Sequence, residues 1–176
     1  MKKSAVILVC VLSFVLIVGE LAFGEGIGGG RFARKNKAGG VTTGTAGGVR
    51  GPNGGMAGRA GGVATDGQGN VAGGSASGFK TPGGAKGVRA GGFTRSSDGT
   101  VQRRGGFGAT GKRGSVASQG SVTKDSSGNV SGERSTGAQS STGSSYQGST
   151  TYSKGSGATH TGTCRNASGV EVPCPK

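Results

Sequence analysis

Six basic residues recur at intervals between positions 89 and 113: Arg89, Arg95, Arg103, Arg104, Lys112 and Arg113. Arginine offers phosphate, sulfate or carboxylate a planar fork of donors, and lysine offers a point charge. The six are spread along the chain rather than gathered in one motif. The chemistry they imply is multivalent attraction to a polyanion, which salt weakens. They are the candidate anion-binding residues.

Other chemistry finds little support. His160 is the one histidine, and it lies near Cys164 and Cys174. Three ligands without a fourth do not close a zinc site. A Cys/His nucleophile pair needs a rigid pocket, which this composition is not expected to build. Gly106, Gly111 and Lys112 have phosphate-loop spacing, yet Arg113 stands where a Ser or Thr would hold magnesium. The expectation is a non-enzymatic protein with no catalytic residues, no cofactor and no metal.

Residues 1–24 read as an export signal. Lys2 and Lys3 precede the apolar run Ala5 to Val18, which is shorter than the ~20 residues that span a bilayer as a helix. Ala22-Phe23-Gly24 suits cleavage after Gly24. One helix is expected, at about 4–23, and none after it. The expected location is therefore secreted or cell surface, periplasmic or extracellular.

Beyond the signal the chain is basic and rich in glycine. The whole chain holds 43 glycines in 176 residues and a formal charge of +14. Without Lys2, Lys3 and Glu20, 19 basic and 6 acidic residues remain. Sixteen of the 152 residues from Glu25 onward are Leu, Ile, Val or Phe. That is far below the roughly 20% under which a charged chain is expected to lack a packed core. The fold class expected is mostly disordered or thin repetitive β, built of short hairpins in a meander or solenoid-like array.

Repeats favour the thin β alternative. RAGGV at Arg59–Val63 recurs as RAGGF at Arg89–Phe93 and, degenerately, as SQGSV at Ser118–Val122. Each copy leads into a turn signal and a valine: Val71, Val101 and Val130. Asp66-Gly67 and Asp98-Gly99 suit tight hairpins, and Asp125 to Gly128 suits a longer loop. Val63, Val71, Phe79, Val88, Val101, Phe107, Val116, Val122 and Val130 fall mostly six to nine positions apart, which reads as short strands owning one such residue each.

The two cysteines after the signal, Cys164 and Cys174, form an even pair in an exported chain and are expected to be disulfide-bonded. Asn166 to Gly169 is a turn signal between them. The organisation expected is a signal at 1–24, a Gly-rich basic linker at 25–58 and hairpin repeats of about 30 residues at 59–134. A Ser/Thr/Gly-rich low-complexity segment at 135–159 and a disulfide-closed hairpin at 160–176 complete it.

The hairpin units with Asp66-Gly67 and Asp98-Gly99 and the ending from Tyr146 to Pro175 resemble exported Gly/Ser/Thr-rich repeat proteins of Gram-negative bacteria, a group without a known activity. The function expected is that of an exported structural or interaction protein of the cell surface or extracellular matrix. Its expected partners are anionic surface polymers, whether polysaccharide, lipid headgroups or extracellular DNA, bound with low specificity. Two alternatives stand beside it. Gly67 to Ala72 matches the GxGNxA core of curli-type repeats, which suggests an amyloid-like fibre subunit able to self-associate. A cationic Gly-rich antimicrobial or toxin is the other.

Overall fold

The structure is a computed structural model and describes residues 26–174. The expected signal helix and its cleavage site lie outside those residues. Eleven strands run in chain order: β1 Gly26–Lys35, β2 Val41–Arg50, β3 Met56–Thr65, β4 Val71–Lys80, β5 Lys86–Arg95, β6 Val101–Gly111, β7 Gly114–Lys124, β8 Val130–Ser140, β9 Ser145–Ser153, β10 Gly157–Arg165 and β11 Glu171–Val172. They form one antiparallel meander in which each strand pairs with the next. The described residues contain no helix. Glycine density and the lack of a 3.6-residue apolar period explain that.

The module is shorter than the sequence repeat. Strands β1 to β6 begin at residues 26, 41, 56, 71, 86 and 101, an interval of 15 residues. Ten residues make the strand and five make the loop. The repeat of about 30 residues is therefore one hairpin, two modules long. The segment expected to be a linker, 25–58, carries β1, β2 and the start of β3. The segment 135–159 carries the end of β8, all of β9 and the start of β10.

A common loop sets this spacing. In most hairpins the first loop residue donates its N–H to the carbonyl of the fifth, as Asn36 to Gly40, Gly51 to Gly55, Thr81 to Ala85 and Ser96 to Thr100. The fourth N–H turns back to the first carbonyl, as Gly99 to Ser96 at 3.0 Å. This is a type I turn followed by a left-handed residue. Glycine fills the left-handed place, with φ of 89° at Gly99 and 84° at Gly128. Pro52 and Pro82 stand second in their loops, where their fixed φ suits the turn. The tight Asp-Gly hairpins expected at 66–67 and 98–99 are thus parts of five-residue loops. Three connections are shorter: β6–β7 is a two-residue turn of Lys112 and Arg113, β8–β9 has four residues and β9–β10 has three.

Strands of ten residues also change the apolar count. Val71 and Phe79 belong to one strand, as do Val101 and Phe107, and Val116 and Val122. The expected short strands with one large apolar residue each are instead long strands with one near each end. Between them lie glycine, alanine, serine and arginine.

Contacts above the sparsest run only between successive strands, so no second layer covers the sheet among the described residues. Ala60 is the one buried apolar side chain described, at 8% exposure. Alternation puts neighbouring residues on opposite faces. Register then sorts the whole chain, because directly paired residues share a face. The back carries a row Ala46–Ala60–Ala76–Ala90 flanked by glycines such as Gly62 and Gly74. The front carries most of the large side chains.

Candidate anion-binding face

Repeats become rows on the front. Arg59, Ser77, Arg89, Phe107 and Ser118 are lateral neighbours across β3 to β7. Val63, Gly73, Phe93, Arg103 and Val122 form a second row. The first residues of RAGGV, RAGGF and SQGSV therefore lie in one line, and their last residues in another. An even number of strands per repeat returns each copy to the same direction and the same face.

The six candidate residues do not converge. Arg89, Arg95 and Arg103 lie on the front, on β5, β5 and β6. Arg104, next to Arg103, points to the back. Lys112 and Arg113 occupy the β6–β7 turn, at the strand ends opposite Arg95. What the structure assembles is a wider set. Counted over strand positions, the front holds Arg31, Lys35, Arg59, Arg89, Arg95, Arg103, Lys124 and Arg134, and no Asp or Glu. The back holds basic residues too, but with Glu133 and Glu171 among them.

The acidic residues Asp66, Asp98 and Asp125 sit in loops and are spent there. Asp66 Oδ1 accepts from the N–H of Gln68 at 2.8 Å and of Asn70 at 3.1 Å, and Asn70 Nδ2 donates to its other oxygen. Asn129 donates to both oxygens of Asp125, from its backbone N–H and from Nδ2. The Asn70 side-chain donor first, then the backbone N–H groups, holds the Asp66 carboxyl below its ordinary value, and Asn129 does so for Asp125. Asn70 and Asn129 are loop residues that close these rings.

Two troughs mark the curvature of the twisted sheet. On the front, Ile27, Val49, Ala57, Phe79 and Ala109 line a trough of about 680 Å³ beside Arg59 and Arg89. On the back, Gln119, Ser135, Gln147, Ser149 and Thr161 line one of about 830 Å³.

At the far end of the front, the Tyr146 hydroxyl lies 3.0 Å from His160 Nε2, and His160 Nδ1 lies 2.8 Å from Thr150 Oγ1. The Tyr146 ring reaches His160 by lying across Gly148 and Gly162. His160 is thus engaged by hydroxyls. Cys164 is bonded to Cys174, with Cα atoms 5.3 Å apart, as the paired cysteines imply. No cluster of metal-ligating residues occurs among the described residues.

Comparison of the chain with protein-family models, with curated proteins and with solved structures finds no match.

Proposed function

We propose that this is an exported, non-enzymatic interaction protein of the cell surface or extracellular matrix that binds anionic surfaces through its front face. The observation that carries the reading is the eight basic and no acidic strand positions on that face. A sheet holds these groups at fixed spacings, about 4.8 Å between strands, so many weak contacts act together. Little geometry is shared between them, which suits a polymer or surface more than a small ligand.

Heparin binding measured across a salt series tests this. Affinity is expected to fall steeply with salt. The triple replacement Arg89→Gln, Arg95→Gln and Arg103→Gln should weaken binding by roughly tenfold or more at low salt. The same charge loss on the back, at Arg34, Arg50 and Lys80, should weaken it less. Equal losses, or binding indifferent to salt, overturn the reading.

A fibre subunit is the second reading, favoured by β1, a ten-residue strand paired on one side only among the described residues. Its three basic residues, Arg31, Arg34 and Lys35, oppose edge pairing. Thioflavin binding and cross-β diffraction at high protein concentration distinguish the two.

A further inference from the structure

We infer that the front trough seats an anionic lipid of a bilayer surface, its acyl chain along Ile27, Val49, Ala57, Phe79 and Ala109 and its acidic headgroup at Arg59 and Arg89. This rests on the anion-binding reading and narrows it to an amphiphile.

The first ground is juxtaposition. Ile27, Val49, Ala57, Phe79, Gly87 and Ala109 form one unbroken row across β1 to β6. None of these positions is charged. The row one step nearer the middle of the same face contains Arg59, Ser77 and Arg89 on three adjacent strands. Alkyl surface and guanidinium groups thus lie side by side, about 6.6 Å apart along each strand. An acyl chain joined to a phosphate carries the same pair of chemistries in the same order.

The second ground is availability. Ile27 is 89% exposed, Phe79 48% and Val49 45%. Arg59 and Arg89 are exposed and have no hydrogen-bond or ion-pair partner among the described residues. Arg134, by contrast, donates from Nε to Ser118 Oγ at 2.8 Å. The two free guanidiniums are about two strand spacings apart, near 9.6 Å, with the Ser77 hydroxyl between them. A headgroup above Ser77 is within reach of both.

The third ground is size and sign. Five strand spacings give the apolar row a length of about 24 Å, against roughly 15 Å for one leaflet of hydrocarbon. A polar polymer alone would leave the apolar row uncovered. A second copy docked face to face would set arginine rows against each other. A bilayer surface takes apolar side chains below the headgroups and lets arginine stems bury while their heads stay at the phosphates.

The test mixes the full mature chain with vesicles of phosphatidylglycerol and phosphatidylcholine in equal parts, with phosphatidylcholine vesicles, and separately with heparin. Wild type should bind the mixed vesicles and not phosphatidylcholine alone. Ile27→Ser with Val49→Ser should weaken vesicle binding by roughly tenfold and leave heparin binding unchanged. Arg59→Gln with Arg89→Gln should weaken both. Ile27→Ser alone should move in the same direction as the pair, and unchanged heparin binding reports an intact front face. Heparin binding without vesicle binding overturns the lipid inference and leaves the anion-binding reading standing. Wild-type protein that binds neither overturns both. Equal binding to phosphatidylcholine, or full vesicle binding by the Ile27/Val49 variant, overturns the lipid inference.

Discussion

The ring of Phe79 on β4 lies over Gly87, its register partner on β5. A Cβ at Gly87 would stand 2.6 Å from Phe79 Cε1. Phe93 covers its partner Gly73 in the same way, also at 2.6 Å. In a sheet without a second layer, the aromatic ring finds its apolar surface on the exposed backbone of the neighbouring strand, and the glycine backbone is shielded in return.

Replacing Gly87 with Ala should therefore displace the Phe79 ring and destabilise the sheet by about 1–2 kcal/mol. Replacing Phe79 with Ala should cost a similar amount by uncovering Gly87. The two changes should be non-additive, because the second acts on a contact already lost. Chemical denaturation of the two single variants and the double variant measures the coupling. Simple additivity would show that the ring gains nothing from the glycine.

Gly99 tests the loops without a packing effect. Its φ is 89°, and nothing lies within 4 Å of an added Cβ. Gly99→Ala should cost about 1–2 kcal/mol from backbone conformation alone. Gly99→Asn should cost less, since Asn tolerates the left-handed region better. Thermal melts of the two variants give the order, and an equal cost for both would contradict it.

The hairpin turns at 66–70, 96–100 and 125–129 were legible from glycine and aspartate placed after each repeat copy. The disulfide was legible from two cysteines and a turn between them. The strands β1 and β2 were not: VTTGTAGGVR has two valines and no alternation of large and small, so it reads as linker. Its pairing is fixed by the 15-residue module, which a search for apolar spacing misses. Arg103 and Arg104 are adjacent in the sequence, and strand alternation sends them to opposite faces. Arg59 was visible as the copy of Arg89, and two strands per repeat would have placed them in one row. Tyr146 and His160 carry no sequence signal, because they meet only through the β9–β10 register.

Loss of the disulfide should act locally. Cys164 and Cys174 are ten residues apart and tie β11 to β10, which share two register pairs. Cys164→Ser with Cys174→Ser should remove about 2–3 kcal/mol from that hairpin. Amide exchange should rise between 166 and 172 and stay unchanged in β2 to β8. Heparin binding should also be unchanged. A sheet that loosens throughout would show that the C-terminal edge holds more than itself.

Acid should open two loops before it affects the strands. The Asp66 and Asp125 carboxyls sit below the ordinary value of 3.8 in the folded chain. Their contribution is complete above that value and disappears as pH falls through the lowered folded value. Melting temperature should therefore fall on the acid side, as pH drops below the ordinary value of 3.8. Asp66→Asn with Asp125→Asn should flatten that fall. An unchanged acid limb in the variant would place the loss elsewhere.

Pairing of each strand with the next has a kinetic consequence. Among the described residues each strand pairs with the next, so the loop that closes before each pairing is five residues or fewer. Low contact order of this kind favours fast formation for a β protein. A chain that emerges with its N-terminus first, from a ribosome or through a pore, can add one strand at a time to an edge already formed. Cys174 then fastens β11, the last described strand, to the end of β10, while the rest of the β10 edge keeps no further strand among the described residues.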